Sequence, residues 1–215
     1  MPIGLEVPAL YVLADAGALG AVGLSEGVRR IVEAGVRWVQ VRAKGMPDER
    51  LYEELLACAA LRNEQPYLLW VNDRPDLARL VRADGVHVGQ DDLAPAVVRG
   101  IVGPETVIGR STHDLRQVEE AAADPEVDAV AFGPVYPTAS KARPDPVVGL
   151  ESLRHARART DKPLVAIGGI DVERVRDVLA AGADSAAVLS AACRGDVAAN
   201  CRRLLAAVGE EQRRP

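Results

Sequence analysis

At 215 residues, with 48% hydrophobic and 27% charged side chains, the chain has enough apolar content for one sizeable core and too little length for two average domains. Its net charge of -5 gives no general attraction to nucleic acid or to an anionic membrane, and an aromatic share of 3% disfavours base-stacking platforms. Any anionic ligand must therefore be held by local charges.

Short apolar or β-branched runs alternate with amphipathic segments along the chain. A first strand over 10–14 precedes a helix over 23–34 that Gly35 ends. The second strand, 38–42, carries Gln40 and Arg42, and Lys44 follows it before a helix over 47–63. A third strand over 67–71 runs into Asn72-Asp73-Arg74-Pro75 and a helix over 74–82. The fourth, 85–88, is followed by Gly89-Gln90-Asp91-Asp92 and a helix over 93–100, and the fifth, 107–109, by Ser111-Thr112-His113 and a helix over 113–122. After the sixth, 129–132, comes Gly133-Pro134-Val135-Tyr136-Pro137-Thr138-Ala139-Ser140-Lys141, with a helix over 149–159. The seventh, 164–167, leads to Gly168-Gly169 and a helix over 171–181, and the eighth, 186–189, to Ser190 and a helix over 195–208.

Eight β-then-α units predict an α/β chain folded as a closed (β/α)8 TIM barrel, because helical crossovers bury both faces of parallel strands and closure removes the sheet edges. An open doubly wound sheet is the alternative. The series implies one domain over 1–208 and a polar tail over 209–215. Three cysteines without a CxxC pair make a poor disulfide framework and fit a reducing, cytoplasmic setting. The apolar stretch from Val7 to Leu24 is broken by Pro8, Asp15 and glycines, so it reads neither as a membrane span nor as a signal peptide. Small-molecule substrates are the expected partners, with no nucleic acid and no membrane; homo-oligomerisation is left open.

In such a barrel the strand-to-helix loops form the reactive face, and the polar, glycine-rich residues gather there. Gln40, Arg42 and Lys44 are spaced by two, so an extended segment sends all three to one side. Two inward cations need an anion, since unpaired buried charge is costly. Asp73 and Asp92 follow neighbouring strands, and two hard carboxylates near one point suit Mg²⁺, although either could instead cap a helix. Ser111 is placed equally well as a cap or a substrate contact. His87 reads as an inward structural residue and His113 as part of a helix's first turn. Gly168-Gly169 and Ser190 fall after strands seven and eight, the usual phosphate corner of this architecture.

The ordered set Q-V-R-A-K-G, V-N-D-R, H-V-G-Q-D-D, G-R-S-T-H, G-P-V-Y-P-T-A-S-K, A-I-G-G-I and A-V-L-S-A resembles the thiamine phosphate synthase family over nearly the whole chain. The resemblance implies a transferase that joins an aminopyrimidine methyl diphosphate to a thiazole phosphate, releasing diphosphate with the help of Mg²⁺. It assigns Gln40, Arg42, Lys44, Asn72, Ser111 and Lys141 to the pyrimidine diphosphate, with Arg42, Lys44, Ser111 and Lys141 as the catalytic set. Asp73 and Asp92 become the metal ligands, and Thr138, Ala139, Ser140, Gly169, Leu189 and Ser190 hold the thiazole phosphate. Ser140 stands where the family commonly has Thr, and Ser185 where Gly is usual.

Three other readings compete. The related thiazole tautomerase branch carries a His in the region of strand six, and none occurs in Ala131-Phe132-Gly133-Pro134-Val135-Tyr136. A Schiff-base aldolase would use Lys44 or Lys141, but each belongs to a polar set that keeps an amine protonated. A noncatalytic phosphate-binding barrel would have no use for both carboxylates.

Overall fold

The computed structural model describes residues 7–140 and 145–211. Eight parallel strands, β1 (Leu10–Asp15), β2 (Trp38–Arg42), β3 (Leu68–Asn72), β4 (Gly85–Val88), β5 (Val107–Thr112), β6 (Ala129–Phe132), β7 (Leu164–Ile167) and β8 (Ser185–Val188), close into one barrel in chain order. The helices are α1 (Ala16–Leu19), α2 (Leu24–Glu33), α3 (Asp48–Leu61), α4 (Pro75–Leu80), α5 (Pro95–Val102), α6 (Leu115–Ala123), α7 (Gly149–Arg157), α8 (Val175–Ala180), α9 (Ser190–Cys193) and α10 (Val197–Glu211). The expected closed barrel is thus the observed fold. The final helix runs past residue 208 to Glu211, and residues 212–215 of the expected tail lie outside the described residues.

The strands are buried on both faces, as a parallel sheet covered by helices requires. Val12, Val39, Val41, Leu69, Val71, Val86, Ile108 and Val130 pack outward in the cluster shared with the helices. Tyr11, Leu13, Trp38, Trp70, Val107, Ala129, Ala131, Val165 and Ala187 form a separate inner cluster. Tyr11 stacks on Trp38 with ring centroids 4.0 Å apart, and Trp70 meets the two rings edge-on at 5.8 and 5.1 Å. Gly85, in register with Trp70, leaves that indole its space, because a Cβ there would overlap the ring. These few aromatics plug the barrel from the β1–β3 side while glycine and alanine line much of the rest.

Three repeated brackets tie the opposite, helix-to-strand end. Asp84, Asp128 and Asp184 stand immediately before β4, β6 and β8, and each accepts the N–H of a residue in an adjacent strand: Leu69 at 2.8 Å, Ile108 at 2.9 Å and Leu164 at 2.7 Å. Each is also paired with an arginine: Arg62 at 3.1 Å, Arg99 at 2.7 Å and Arg157 at 2.6 Å. This end is built for cohesion.

Inward positions recur every second residue, and they turn polar toward the strands' C-terminal ends. Tyr11 and Leu13 give way to Asp15, Trp38 to Gln40 and Arg42, Trp70 to Asn72, and Gly109 to Ser111. The mouth of the barrel is therefore where the charged side chains emerge. Among the described residues, no helix is long and apolar enough to cross a membrane.

Candidate active site

Arg42 ends β2 in register with Asp15 at the end of β1, and its Nη1 forms an ion pair with Asp15 Oδ2. The two side chains are only 15% and 13% exposed, so the pair sits inside the rim. The other oxygen, Asp15 Oδ1, accepts the N–H of Ala18 at 2.9 Å and caps α1. The expectation of two inward cations in need of an anion is thereby revised, since Arg42 already has a carboxylate beside it. Gln40 points deeper, where its Nε2 donates to the Tyr11 hydroxyl at 2.6 Å and its Oε1 is buried without a partner. Lys44 lies beyond the end of β2, is 63% exposed, and places its ammonium 3.6 Å from Asp73 Oδ2. It is a rim cation and not a buried one, because the strand stops at Arg42.

Asp73 follows β3 with φ at +60°, a left-handed conformation that costs a non-glycine residue on the order of 1 kcal/mol. Its N–H donates to the carbonyl of His87 at 2.9 Å, which fixes the turn. Burial first, then the charge of Asp92 and a hydrogen bond to it, raise the pKa of Asp73 above the ordinary aspartate range; Lys44 and Asn72 pull the other way. Asp92 comes from the β4–α5 loop, where its Oδ2 accepts the N–H of Gly89 at 2.7 Å. Neither carboxylate caps the helix that follows it, since α4 and α5 begin at Pro75 and Pro95 without a side-chain cap. Two carboxylates in contact at the rim form a hard oxygen pair whose mutual repulsion a divalent cation would relieve, so the donor set fits Mg²⁺ completed by water and substrate oxygens. No group of three or more His, Cys, Asp or Glu side chains at metal-binding proximity occurs among the described residues.

Ser111 lies within β5, and its Oγ is 2.8 Å from His87 Nε2. The helix cap is Asp114, which accepts the N–H of Gln117 at 2.8 Å, leaving Ser111 turned to the mouth. His87 is buried and inward as expected. His113 is not in a first helical turn; it precedes the cap and reaches across to the carbonyl of Gly133.

On the far side of the mouth, Ser140 Oγ is 3.2 Å from Ser190 Oγ, and the Ser140 N–H donates to Thr138 Oγ1 at 3.3 Å. The β6–α7 segment and the end of β8 thus meet through hydroxyls, with Ala139 exposed between them and Leu189 leading into α9. Gly169 has φ +66°, and a Cβ on it would come within 2.5 Å of the Pro137 carbonyl oxygen. Only glycine lets the β7–α8 turn approach this segment so closely. Arg174 fastens the same contact, its guanidinium 4.9 Å from the centre of the Tyr136 ring while Nη1 donates to Gly169 O at 2.8 Å. Lys141 lies outside the described residues.

The expected residues thus form two groups on one rim. Arg42, Lys44, Asn72, Asp73, Asp92 and Ser111 occupy the β2–β5 side, and Thr138, Ser140, Gly169 and Ser190 the β6–β8 side. Sequence reasoning missed Asp15 and Arg174. The signal for Asp15 was an aspartate closing an apolar strand, one position beyond the expected end of that strand.

A family model described as thiamine monophosphate synthase matches residues 10–192. A thiamine-phosphate synthase of Koribacter versatilis is 46% identical over 195 residues, covering 88% of this chain and 91% of that protein. Another, from Azorhizobium caulinodans, is 37% identical and covers 95% and 96% of the two chains. The solved thiamine phosphate pyrophosphorylase of Pyrococcus furiosus superposes with a TM-score of 0.87 at 32% identity, covering 97% of this chain and 99% of that one. Both curated relatives carry the synthase name. With a match that spans all eight strands and relatives this similar along most of its length, the chain belongs to the thiamine monophosphate synthase family.

Proposed function

We propose that this protein joins an aminopyrimidine methyl diphosphate to a thiazole phosphate, giving thiamine phosphate and diphosphate, with Mg²⁺ held by Asp73 and Asp92. The single observation that carries the reading is the division of the mouth into a side of cations and carboxylates and a side of hydroxyls and close-packed glycine. A reaction between two phosphorylated partners needs both.

Loss of diphosphate from the pyrimidinylmethyl carbon leaves a cation stabilised by electron donation from the ring's amino substituent. The protein's main task is then to receive the departing anion. Arg42, oriented by Asp15, and the ammonium of Lys44 supply positive charge at that end, with Asn72 and Ser111 adding neutral hydrogen-bonding groups. Lys141, which follows Ser140 in the chain, is assigned the same task. Gln40, hydrogen-bonded to Tyr11, faces the pyrimidine end with its free carbonyl oxygen. When bound, Mg²⁺ would neutralise diphosphate charge. Thr138, Ser140 and Ser190, with the backbone at Ala139, Gly169 and Leu189, anchor the thiazole phosphate so that its ring nitrogen meets the methylene carbon before water does. That nitrogen attacks with its own lone pair, so no protein nucleophile or general base is called for.

The test supplies both substrates with Mg²⁺ and measures thiamine phosphate and diphosphate together. Equal yields that vanish on chelation are expected. Diphosphate released without thiamine phosphate, or no turnover with either substrate in excess, would overturn the reading.

A further inference from the structure

His113 reaches the rim, and the reaction as described gives it no task. It stands between β5 and the Asp114 cap of α6, and its own N–H donates to Gln117 Oε1 at 2.8 Å, so its backbone is fixed. The side chain is 18% exposed. Its Nδ1 lies 2.7 Å from the carbonyl oxygen of Gly133, the residue that follows β6. Its Nε2 lies 3.5 Å from Oδ2 of Asp145, shortly before α7 begins at Gly149. One imidazole therefore touches the start and the far part of the segment that carries Thr138 and Ser140.

Backbone bonds hold other points of the segment: Val135 N to Ile167 O at 2.9 Å, Tyr136 N to Gly168 O at 3.0 Å and Val148 N to Pro134 O at 2.9 Å. Those bonds secure its base against β7 and its junction with α7. The imidazole adds a crosslink to β5, the strand that carries Ser111. The Gly133 carbonyl only accepts hydrogen bonds, so Nδ1 donates to it, and the ring then turns its Nε2 edge to the Asp145 carboxylate.

We infer that His113 is a positioning residue for the phosphate end of the reaction: by tying Gly133 to Asp145 it sets the height at which Thr138 and Ser140 meet Ser190. This rests on the reading of those hydroxyls as the thiazole phosphate subsite. Because the crosslink acts on one subsite, its loss must show in one Michaelis constant and spare the other.

The experiment compares wild type, His113→Ala, His113→Asn and Asp145→Asn, each checked for a native melting transition, with each substrate varied at saturating levels of the other. His113→Ala is expected to raise KM for the thiazole phosphate about tenfold while KM for the pyrimidine diphosphate changes by less than about twofold. His113→Asn, which keeps a donor for Gly133, and Asp145→Asn, which keeps the ring, should each give a smaller rise. The double variant His113→Ala with Asp145→Asn should be no worse than His113→Ala alone. Should His113→Ala fail to fold, Asp145→Asn and His113→Asn decide the matter by the same split. Unchanged constants, or both rising together, would overturn the positioning role while wild-type synthesis stands. A wild type that makes no thiamine phosphate would overturn the reaction assigned above and the positioning role with it.

Discussion

Replacing Asp15 by asparagine keeps the shape of the side chain and removes only its charge. In the folded protein that leaves the Arg42 guanidinium, 15% exposed, without its counter-charge. Breaking a buried ion pair by deleting one partner costs about 3–5 kcal/mol, much of it the penalty on the charge left behind. With its single oxygen kept on the Ala18 N–H, the asparagine turns its NH2 group toward Arg42, and only the water admitted at the rim offsets the stranded charge, which leaves an expected loss of about 3 kcal/mol. The Ala18 N–H remains capped in Asp15→Asn; Asp15→Ala forfeits the cap as well and should lose about 1 kcal/mol more. For a chain of this size such a loss lowers the melting temperature by roughly 5–10 °C. Urea unfolding of Asp15→Asn, Arg42→Met and the double variant measures the pair directly. The double variant should recover most of what Asp15→Asn loses, since no guanidinium is then stranded. A loss below about 0.5 kcal/mol, or one that persists undiminished in the Arg42→Met background, would refute the reasoning. In steady-state assays the same substitution should weaken the pyrimidine diphosphate side, because the arginine has lost the group that aims it.

Asp92→Asn should fold normally and raise the Mg²⁺ concentration needed for half-maximal turnover by about tenfold or more, checked by titrating the metal; a wild-type requirement would remove Asp92 from the site. Gly169→Ala combines a left-handed φ, costing about 1–2 kcal/mol, with overlap on the Pro137 carbonyl oxygen, so KM for the thiazole phosphate should rise; a wild-type KM would show that the turn can shift freely. Burial, aided by the charge of Glu54, pushes the Cys58 thiol up to about 12, and burial likewise pushes Cys201 to about 12 and Cys193 to about 11. The unfolded chain ionises these thiols first, so the stability they contribute is present below the ordinary thiol range and is lost as pH rises from about 9 toward 12. Urea midpoints should fall across that window in wild type and fall less in Cys58→Ala, and a thiol reagent at neutral pH should find no reactive cysteine until the protein unfolds; prompt labelling of the native protein would contradict the burial.

The barrel was legible because each strand is apolar on both faces and bounded by polar turns. Boundaries moved where side chains altered the local rule. Polar Arg110, Ser111 and Thr112 hid the second half of β5, which pairs in register with Val130, Ala131 and Phe132. The helix expected from 171 begins at Val175, because Asp171 Oδ1 accepts the N–H groups of Glu173 and Arg174 and holds those residues in a turn. The helix expected from 93 begins at Pro95, since the residue before a proline is kept out of helical geometry. Helices α1 and α9, four residues each, are too short to display a period.

The candidate site was legible where an unusual polar residue stands at a strand end, and illegible where it depends on a partner across a strand boundary. Arg42 could be found from its own spacing; that it faces Asp15 follows only from the β1–β2 register, and the two are 27 positions apart. The same holds for His113, whose two acceptors lie on either side of the segment it touches. Arg42, Asn72 and Ser111 sit on regular strand ends, and Ser140 is tied to Thr138 and Ser190, so the fold itself places these polar groups. A reaction whose intermediate must meet its partner ahead of water gains from such preorganisation, because the positioning cost is met in folding and not at the moment of bond formation. The buried aromatics below and the three aspartate–arginine brackets at the opposite end supply that rigidity. They anchor the strands from which the loops carrying the left-handed Asp73 and the closely packed Gly169 emerge.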